Sequence, residues 1–230
     1  MPLRLLIADT TAEIEAAREV EARVFLSAFG NTPDTMEQEY GPYAGRSRFV
    51  AVIDDSDGSA VGAARIILPD DTGELKTLTD VAGEPWRLSV PESLRASGLS
   101  GGPVWDAATL AVDPRHRRTA AGAEVTLALI HGLFRYTELS GVPGAVTILD
   151  DHVLGLVQDM GVPWTPIAGA TSQSYLGSPA STPCVLIIGS YAESVRTRRP
   201  ELAPALVDGT FGSIASDPVD LRPDRGARIA

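Results

Sequence analysis

Residues 104–123, VWDAATLAVDPRHRRTAAGA, constrain this chain more than any other stretch. Trp105, Ala107, Ala108, Leu110, Ala111 and Val112 make a nearly continuous apolar run, as a strand covered on both faces requires. A tight turn at Asp113-Pro114 follows, then Arg115, His116, Arg117 and Arg118, then a small-residue helix opening at Ala120, Ala121, Gly122 and Ala123. Exposed N–H groups and the positive end of a helix dipole attract phosphate. Small residues let a ligand approach that backbone, and arginines supply paired donors. Strand, turn and helix together predict a pyrophosphate cradle. The alternative is a surface turn with arginines ahead of a core helix.

A length of 230 residues fits one domain with additions or at most two small ones. The 44% apolar and 21% charged content is that of a globular protein. No apolar run reaches the roughly 18 residues that span a bilayer, and MPLRLLIADT does not read as a secretion signal. The single cysteine, Cys184, lies in the apolar run PCVLIIG and reads as core filling in a reducing, cytoplasmic setting. The net charge of −11 argues against general nucleic-acid binding, and Lys76 is the one lysine. An anionic ligand must therefore meet a local patch. The densest is Arg115 to Arg118; a second, Arg196, Arg198 and Arg199, flanks a solvated helix end.

Leu3 to Ala8 predicts a first strand, and Thr10 with Glu13 has capping-box spacing for a helix whose apolar stripe is Ala17, Val20, Val24 and Ala28. Phe49–Ile53 and Ala60–Leu68 predict a hairpin across the turn formers Asp54, Asp55, Asp57 and Gly58. The irregular stretch 70–103 predicts an insertion, a lid or substrate-binding element, with short helices at Leu75–Val81 and Pro91–Ala96. Ala123, Leu127, Ile130 and Phe134 share one helical face, and Gly141 stops that helix. Ala145–Leu149 is a buried strand. Asp150 or Asp151 caps a helix closed by Gly161, and Val185–Ile188 is a late strand. Residues 1–190 form the expected domain, and 191–230 an extension that hangs loose or packs weakly after about Asp208. The order of elements predicts a mixed α/β sheet.

The central stretch resembles motif A of the GNAT acyltransferases, in which L-x-V-x-P-x-x-R precedes R/Q-x-x-G-x-G/A and binds the pyrophosphate of coenzyme A. Leu110, Val112, Pro114 and Arg117 match the first half. In the second half, Arg118 to Gly122 is one residue longer than the family spacing, and Ala120 and Ala121 stand where glycine is usual. The resemblance runs from the first strand to about Ser190. It implies an α+β fold, with a mixed, mostly antiparallel splayed sheet flanked by helices. It also implies a cradle of Leu110, Ala111, Val112, Arg117, Arg118, Thr119, Ala120, Ala121, Gly122 and Ala123.

Within that family the chain is similar to the acyl-homoserine-lactone synthases and the long-chain N-acyl amino acid synthases. Those carry R-x-x-V-F, G-x-x-R-L-L-P-T, W-E-x-S-R-F and G-W-P-x-x-x-L-G segments. Arg23-Val24-Phe25, Gly62 to Pro69 with Arg65, Trp105-Asp106 with Leu110, and Gly161 to Trp164 with Gly169 follow the same order. The branch's Glu is Asp106 here, and Thr109 replaces its Arg. Acidic residues after the first helix are loosely represented by Glu37 and Glu39. These departures point away from homoserine-lactone synthesis from S-adenosylmethionine and toward another amine acceptor.

The resemblance implies N-acyl transfer from acyl-CoA, or from the phosphopantetheine of an acyl carrier protein, to a small amine such as an amino acid. The sequence shows no metal-ligand cluster of recognisable spacing, and its charge and hydropathy predict no metal, no nucleic acid and no membrane partner. Such chemistry needs an amine base, a polarised carbonyl and a protonated leaving thiolate. Asp106, alone on an apolar strand, is the first candidate base; the alternative is a structural carboxylate. Glu37 or Glu39 could serve instead as base or in substrate binding. His152 is the candidate acid, or a surface residue. Arg65 either forks an acceptor carboxylate or forms an internal ion pair, with Asp106 as the suggested partner. A rival reading is a catalytically degenerate GNAT that binds acyl thioesters as a regulatory module.

Overall fold

The computed structural model describes residues 3–99, 102–116 and 120–223. Its elements run β1 (Leu3–Ile7), α1 (Thr11–Phe29), α2 (Pro33–Tyr40), a 3-10 turn (Gly41–Arg46), β2 (Ser47–Asp54), β3 (Ala60–Ile67), α3 (Lys76–Ala82), α4 (Val90–Ala96) and β4 (Val104–Val112). They continue with α5 (Ala120–Leu139), β5 (Gly144–Asp150), α6 (Asp151–Asp159), β6 (Thr165–Pro166), β7 (Gln173–Tyr175), β8 (Ser178–Ile187), α7 (Tyr191–Arg198), α8 (Ala203–Leu206) and β9 (Ile214–Ser216). The strands form one sheet in the order β6-β8-β5-β4-β3-β2-β1-β9, with β7 paired to β8. Pairing is antiparallel except for β4 with β5 and β1 with β9.

Local chemistry explains the early elements. Thr10 and Glu13 close a reciprocal capping box at α1, and Gly30 ends it in the left-handed region at φ 73°. Asp54 takes both the backbone N–H and the hydroxyl of Ser56 at the β2–β3 turn, where Gly58 has φ 76°. The sheet is covered on both faces. Helix α5 lies on one, against Leu5, Val50, Ile66 and Trp105. Helix α1 covers Phe49, Ala51, Ala63 and Ala111 on the other, and α2, α3 and α4 extend that layer over Ile67, Val146 and Val185. Two glycines let α5 sit close. A Cβ at Gly132 would stand 2.5 Å from Val50 Cγ1, and one at Gly62 2.8 Å from Val125 Cγ1.

The feature that positions the site lies between β4 and β5. Their parallel ladder holds Val104 with Gly144, Trp105 with Ala145 and Asp106 with Val146. Beyond Asp106 the strands diverge. A bulge in β4 accompanies the divergence: Arg65 faces Thr109 and Ile66 faces Ala107, leaving Ala108 as the extra residue. Thr147 bridges the opening, its hydroxyl donating to the Ala107 carbonyl at 2.7 Å.

The expected helices, hairpin and motif strand are present. Two readings need correction. The late strand is longer than Val185–Ile188, running over Ser178–Ile187 and pairing with all of β5. The stretch after Asp208 does not hang loose through its described part. Ile214–Ser216 adds beside β1, Leu221 is 1% exposed, and Glu124 accepts the backbone N–H groups of Gly212 and Ser213. The apolar residues Ile214 and Leu221 explain this; they join the core under α5.

Candidate active site

The divergence of β4 and β5 opens a cavity of about 520 Å³. Its wall is mostly apolar: Phe25 and Phe29 from α1, Ile130 and Phe134 from α5, Val153, Leu156 and Val157 from α6, and Trp164 beyond. Asp106, Thr77, Lys76, Tyr40 and Tyr175 make its polar end.

Asp106 is fully buried on β4. Its Oδ2 accepts the Thr77 backbone N–H at 2.6 Å and its Oδ1 accepts the Thr77 hydroxyl at 2.9 Å. Thr77 lies in the first turn of α3, whose N-cap residue Leu75 offers no capping side chain. The strand carboxylate therefore caps that helix from outside. Burial pushes the Asp106 carboxyl up to about 7, against the pull of the two Thr77 bonds and of Lys76. A group titrating there switches between acid and base near neutral pH.

One residue before Thr77, Lys76 is 4% exposed. Its Nζ donates to Glu39 Oε2 at 2.6 Å, Asp80 Oδ2 at 2.8 Å and the Tyr175 hydroxyl at 3.1 Å. Burial alone would lower its pKa, but Asp80 and Glu39 outweigh that and hold it above the ordinary lysine value. Its ammonium also stands over the rings of Tyr40 (5.4 Å) and Tyr175 (5.7 Å). The Tyr175 hydroxyl donates to Asp80 at 2.5 Å, and burial followed by the Asp80 charge lifts its pKa well above 10. Tyr175 is delivered by the β7–β8 turn, where Leu176 (φ 44°) and Gly177 (φ 84°) are both left-handed.

A second buried network lies behind this one. Arg65 forks Glu21, with Nε to Oε1 at 2.9 Å and Nη2 to Oε2 at 2.5 Å, and Nη1 donates to the Ser47 hydroxyl at 3.2 Å. Thr109 donates to Glu21 Oε1 at 2.5 Å. The guanidinium stands over the rings of Tyr40 at 4.9 Å and Phe49 at 4.7 Å. The internal ion pair of Arg65 is thus with Glu21, not Asp106. The Glu21 carboxylate takes up both Thr109 and Arg65.

The remaining sequence candidates are dispersed. Glu39 reaches the polar end through Lys76. Glu37 is exposed on α2 and lines a separate recess of about 160 Å³ with Arg18, Arg65 and Tyr40. His152 is exposed in the first turn of α6 at the mouth of the large cavity, its N–H held by Asp150. Of the cradle, Leu110 and Val112 line the cavity, while Ala111 turns to the α1 layer. Gly122 is buried and Ala123 exposed at the start of α5. Arg117, Arg118 and Thr119, and the side chains of Ala120 and Ala121, lie outside the described residues. Arg115 folds back onto Asp113, which also holds Arg23 at 2.6 Å; those arginines keep the Asp113 carboxyl far below the usual range. Among the described residues, no group of three or more His, Cys, Asp or Glu is arranged to hold a metal.

Glu21, Thr77, Asp80 and Tyr175 belong to no motif legible in the sequence. Lys76 had one signal, being the only lysine in the chain.

No protein-family profile matches the sequence, and no curated protein matches it. Solved structures do match in fold. FeeM, an N-acyl amino acid synthase from uncultured soil microbes, aligns with TM-score 0.63 at 14% identity, covering 84% of this chain and 93% of that one. BjaI, a CoA-dependent acyl-homoserine lactone synthase solved with SAM and isopentyl-CoA, aligns with TM-score 0.60 at 14% identity over 93% of each chain. LasI, also an acyl-homoserine-lactone synthase, aligns with TM-score 0.61 at 16% identity, covering 91% of this chain and 96% of that one. The chain has the fold of these synthases, a mixed and mostly antiparallel sheet flanked by helices.

Proposed function

We propose that this protein is an N-acyltransferase, moving an acyl group from a coenzyme A or carrier-protein thioester to the amine of a small acceptor. The observation that carries the reading is the mostly apolar cavity of about 520 Å³, opening where β4 loses β5 and ending at Asp106. Such a volume suits an organic ligand with a sizeable apolar part. The likeness in fold to FeeM, BjaI and LasI supports it at the level of architecture.

In this reading the thioester lies along β4 where it diverges from β5, with a backbone N–H near Leu110–Val112 polarising its carbonyl. The acyl chain occupies the cavity between α5 and α6. The candidate contacts for the pyrophosphate are Arg117 to Ala123, the sequence leading into α5. The acceptor ammonium gives a proton to the Asp106 carboxylate. Its nitrogen then bonds to the carbonyl carbon, the C–S bond breaks, the nitrogen releases its second proton to solvent, and the departing thiolate takes up a proton, with His152 as candidate donor. The two Thr77 bonds leave Asp106 lone pairs for the amine. Orientation between the splayed strands supplies most of the rate.

The two Thr77 bonds also favour the second reading, in which Asp106 serves only to cap α3 and the protein binds thioesters without turnover. Free-thiol release separates the two. Release that depends on an added amine, and falls at least about 100-fold in Asp106→Asn, is expected for the transferase with a general base. Thioester binding without release from a broad amine panel would establish the binding module.

A further inference from the structure

The charges around the cavity restrict the acceptor, and this inference rests on the acyltransfer reading above. An amino-acid acceptor brings a carboxylate, which needs a cation with donors to spare. Among the described residues lining the large cavity, the basic side chains are Lys76 and the exposed His152 at its mouth. Lys76 has three N–H donors, and they go to Glu39, Asp80 and Tyr175. Arg65 lines the separate recess rather than this cavity, and Glu21 fills its Nε–Nη2 fork. The Arg65–Glu21 pair cancels its own charge.

The surplus charge at the polar end is negative. Glu39 and Asp80 set two carboxylates against the one Lys76 ammonium, and Asp106 adds a third acid. Asp150 is a fourth at the cavity wall. Tyr40 and Tyr175 add ring faces, which attract cations and repel anions. The net charge of −11 acts in the same direction at longer range. A carboxylate beside the reacting amine would be placed against like charge in a partly dry pocket, with no fork among the described residues to receive it.

We infer that the acceptor is a cationic primary amine without a carboxylate, such as an aliphatic or aralkyl monoamine or a diamine, rather than a free amino acid. Its ammonium docks among Asp106, Tyr40 and Tyr175, and Asp106 takes its proton before attack.

The test uses matched pairs that differ only by the carboxyl group: phenylalanine with phenethylamine, lysine with cadaverine, arginine with agmatine. Octanoyl-CoA is the donor and free thiol the readout. In every pair that reacts, kcat/KM is expected to favour the decarboxylated member by at least about tenfold. A preference for the amino acid would overturn the inference while leaving acyl transfer intact. Thiol release from no member, with octanoyl-CoA still stabilising the fold, would remove acyl transfer and the inference with it. Glu39→Gln, which takes away one of the two carboxylates on Lys76, is expected to shrink the preference severalfold through KM. An unchanged ratio in a folded Glu39→Gln protein would rule out charge as the discriminator.

Discussion

Asp106 joins stability to the proposed chemistry in a single carboxyl. Its folded pKa of about 7 lies above the unfolded aspartate value near 3.9. Below about pH 4 both states hold the proton. As pH rises toward 7 the unfolded chain ionises and the folded one does not, so stability is lost across that window and stays lost above it. Three pKa units correspond to about 4 kcal/mol. Urea unfolding from pH 4 to 8 should show this loss in the native protein and not in Asp106→Asn, whereas parallel pH profiles would mean the carboxyl is not desolvated. If Asp106 is the base, kcat/KM rises through pH 7 as the carboxylate forms. Glu21 makes a different case. It is 2% exposed and holds both Arg65 and Thr109. Glu21→Ala leaves a buried guanidinium unpaired, and chemical denaturation should record a loss of about 3–5 kcal/mol. The double variant with Arg65→Ala should lose less than the sum of the two single ones.

At the scale of elements, what could be read in advance was local. The Thr10–Glu13 box, the aspartate-glycine turn after β2, the apolar run of β4 and the Asp150 cap of α6 each announce themselves within a few residues. Asp106 stood out for the same reason, a charge on an apolar strand. The β7–β8 hairpin did not, because its turn uses Leu176 at positive φ, a conformation the residue type disfavours. Tyr175 was hidden with it. Glu21 and Arg65 are 44 residues apart, and no spacing rule pairs them. The short β9 was missed because three residues carry little periodicity. The hairpin also sets a testable constraint. Gly177 is left-handed, and a Cβ there would overlap the Phe29 carbonyl oxygen. Gly177→Ala should cost about 1–3 kcal/mol, read by thermal or urea unfolding, by moving the turn that carries Tyr175 onto Lys76. No loss of stability would show that the turn can shift freely away from α1.

For the whole molecule, the splay between β4 and β5 organises everything else. The sheet is continuous on either side of it, α1 and α5 close it from opposite faces, and the stretch 70–103 contributes Lys76 and Thr77 to its polar end. The described chain beyond Ser190 packs on the same core, where Val195, Leu206 and Leu221 are buried. No described helix is long and apolar enough to cross a membrane. Acyl-chain binding in the splay is the claim on which the rest depends, and thermal unfolding with coenzyme A, acetyl-CoA and a series of longer acyl-CoAs measures it directly. A ligand at about one hundred times its Kd adds roughly 2.7 kcal/mol, a readily visible rise in Tm. Stabilisation that grows with chain length until the cavity is filled is the expected result. No stabilisation by any of these thioesters, or the same stabilisation by coenzyme A as by every acylated form, would contradict it.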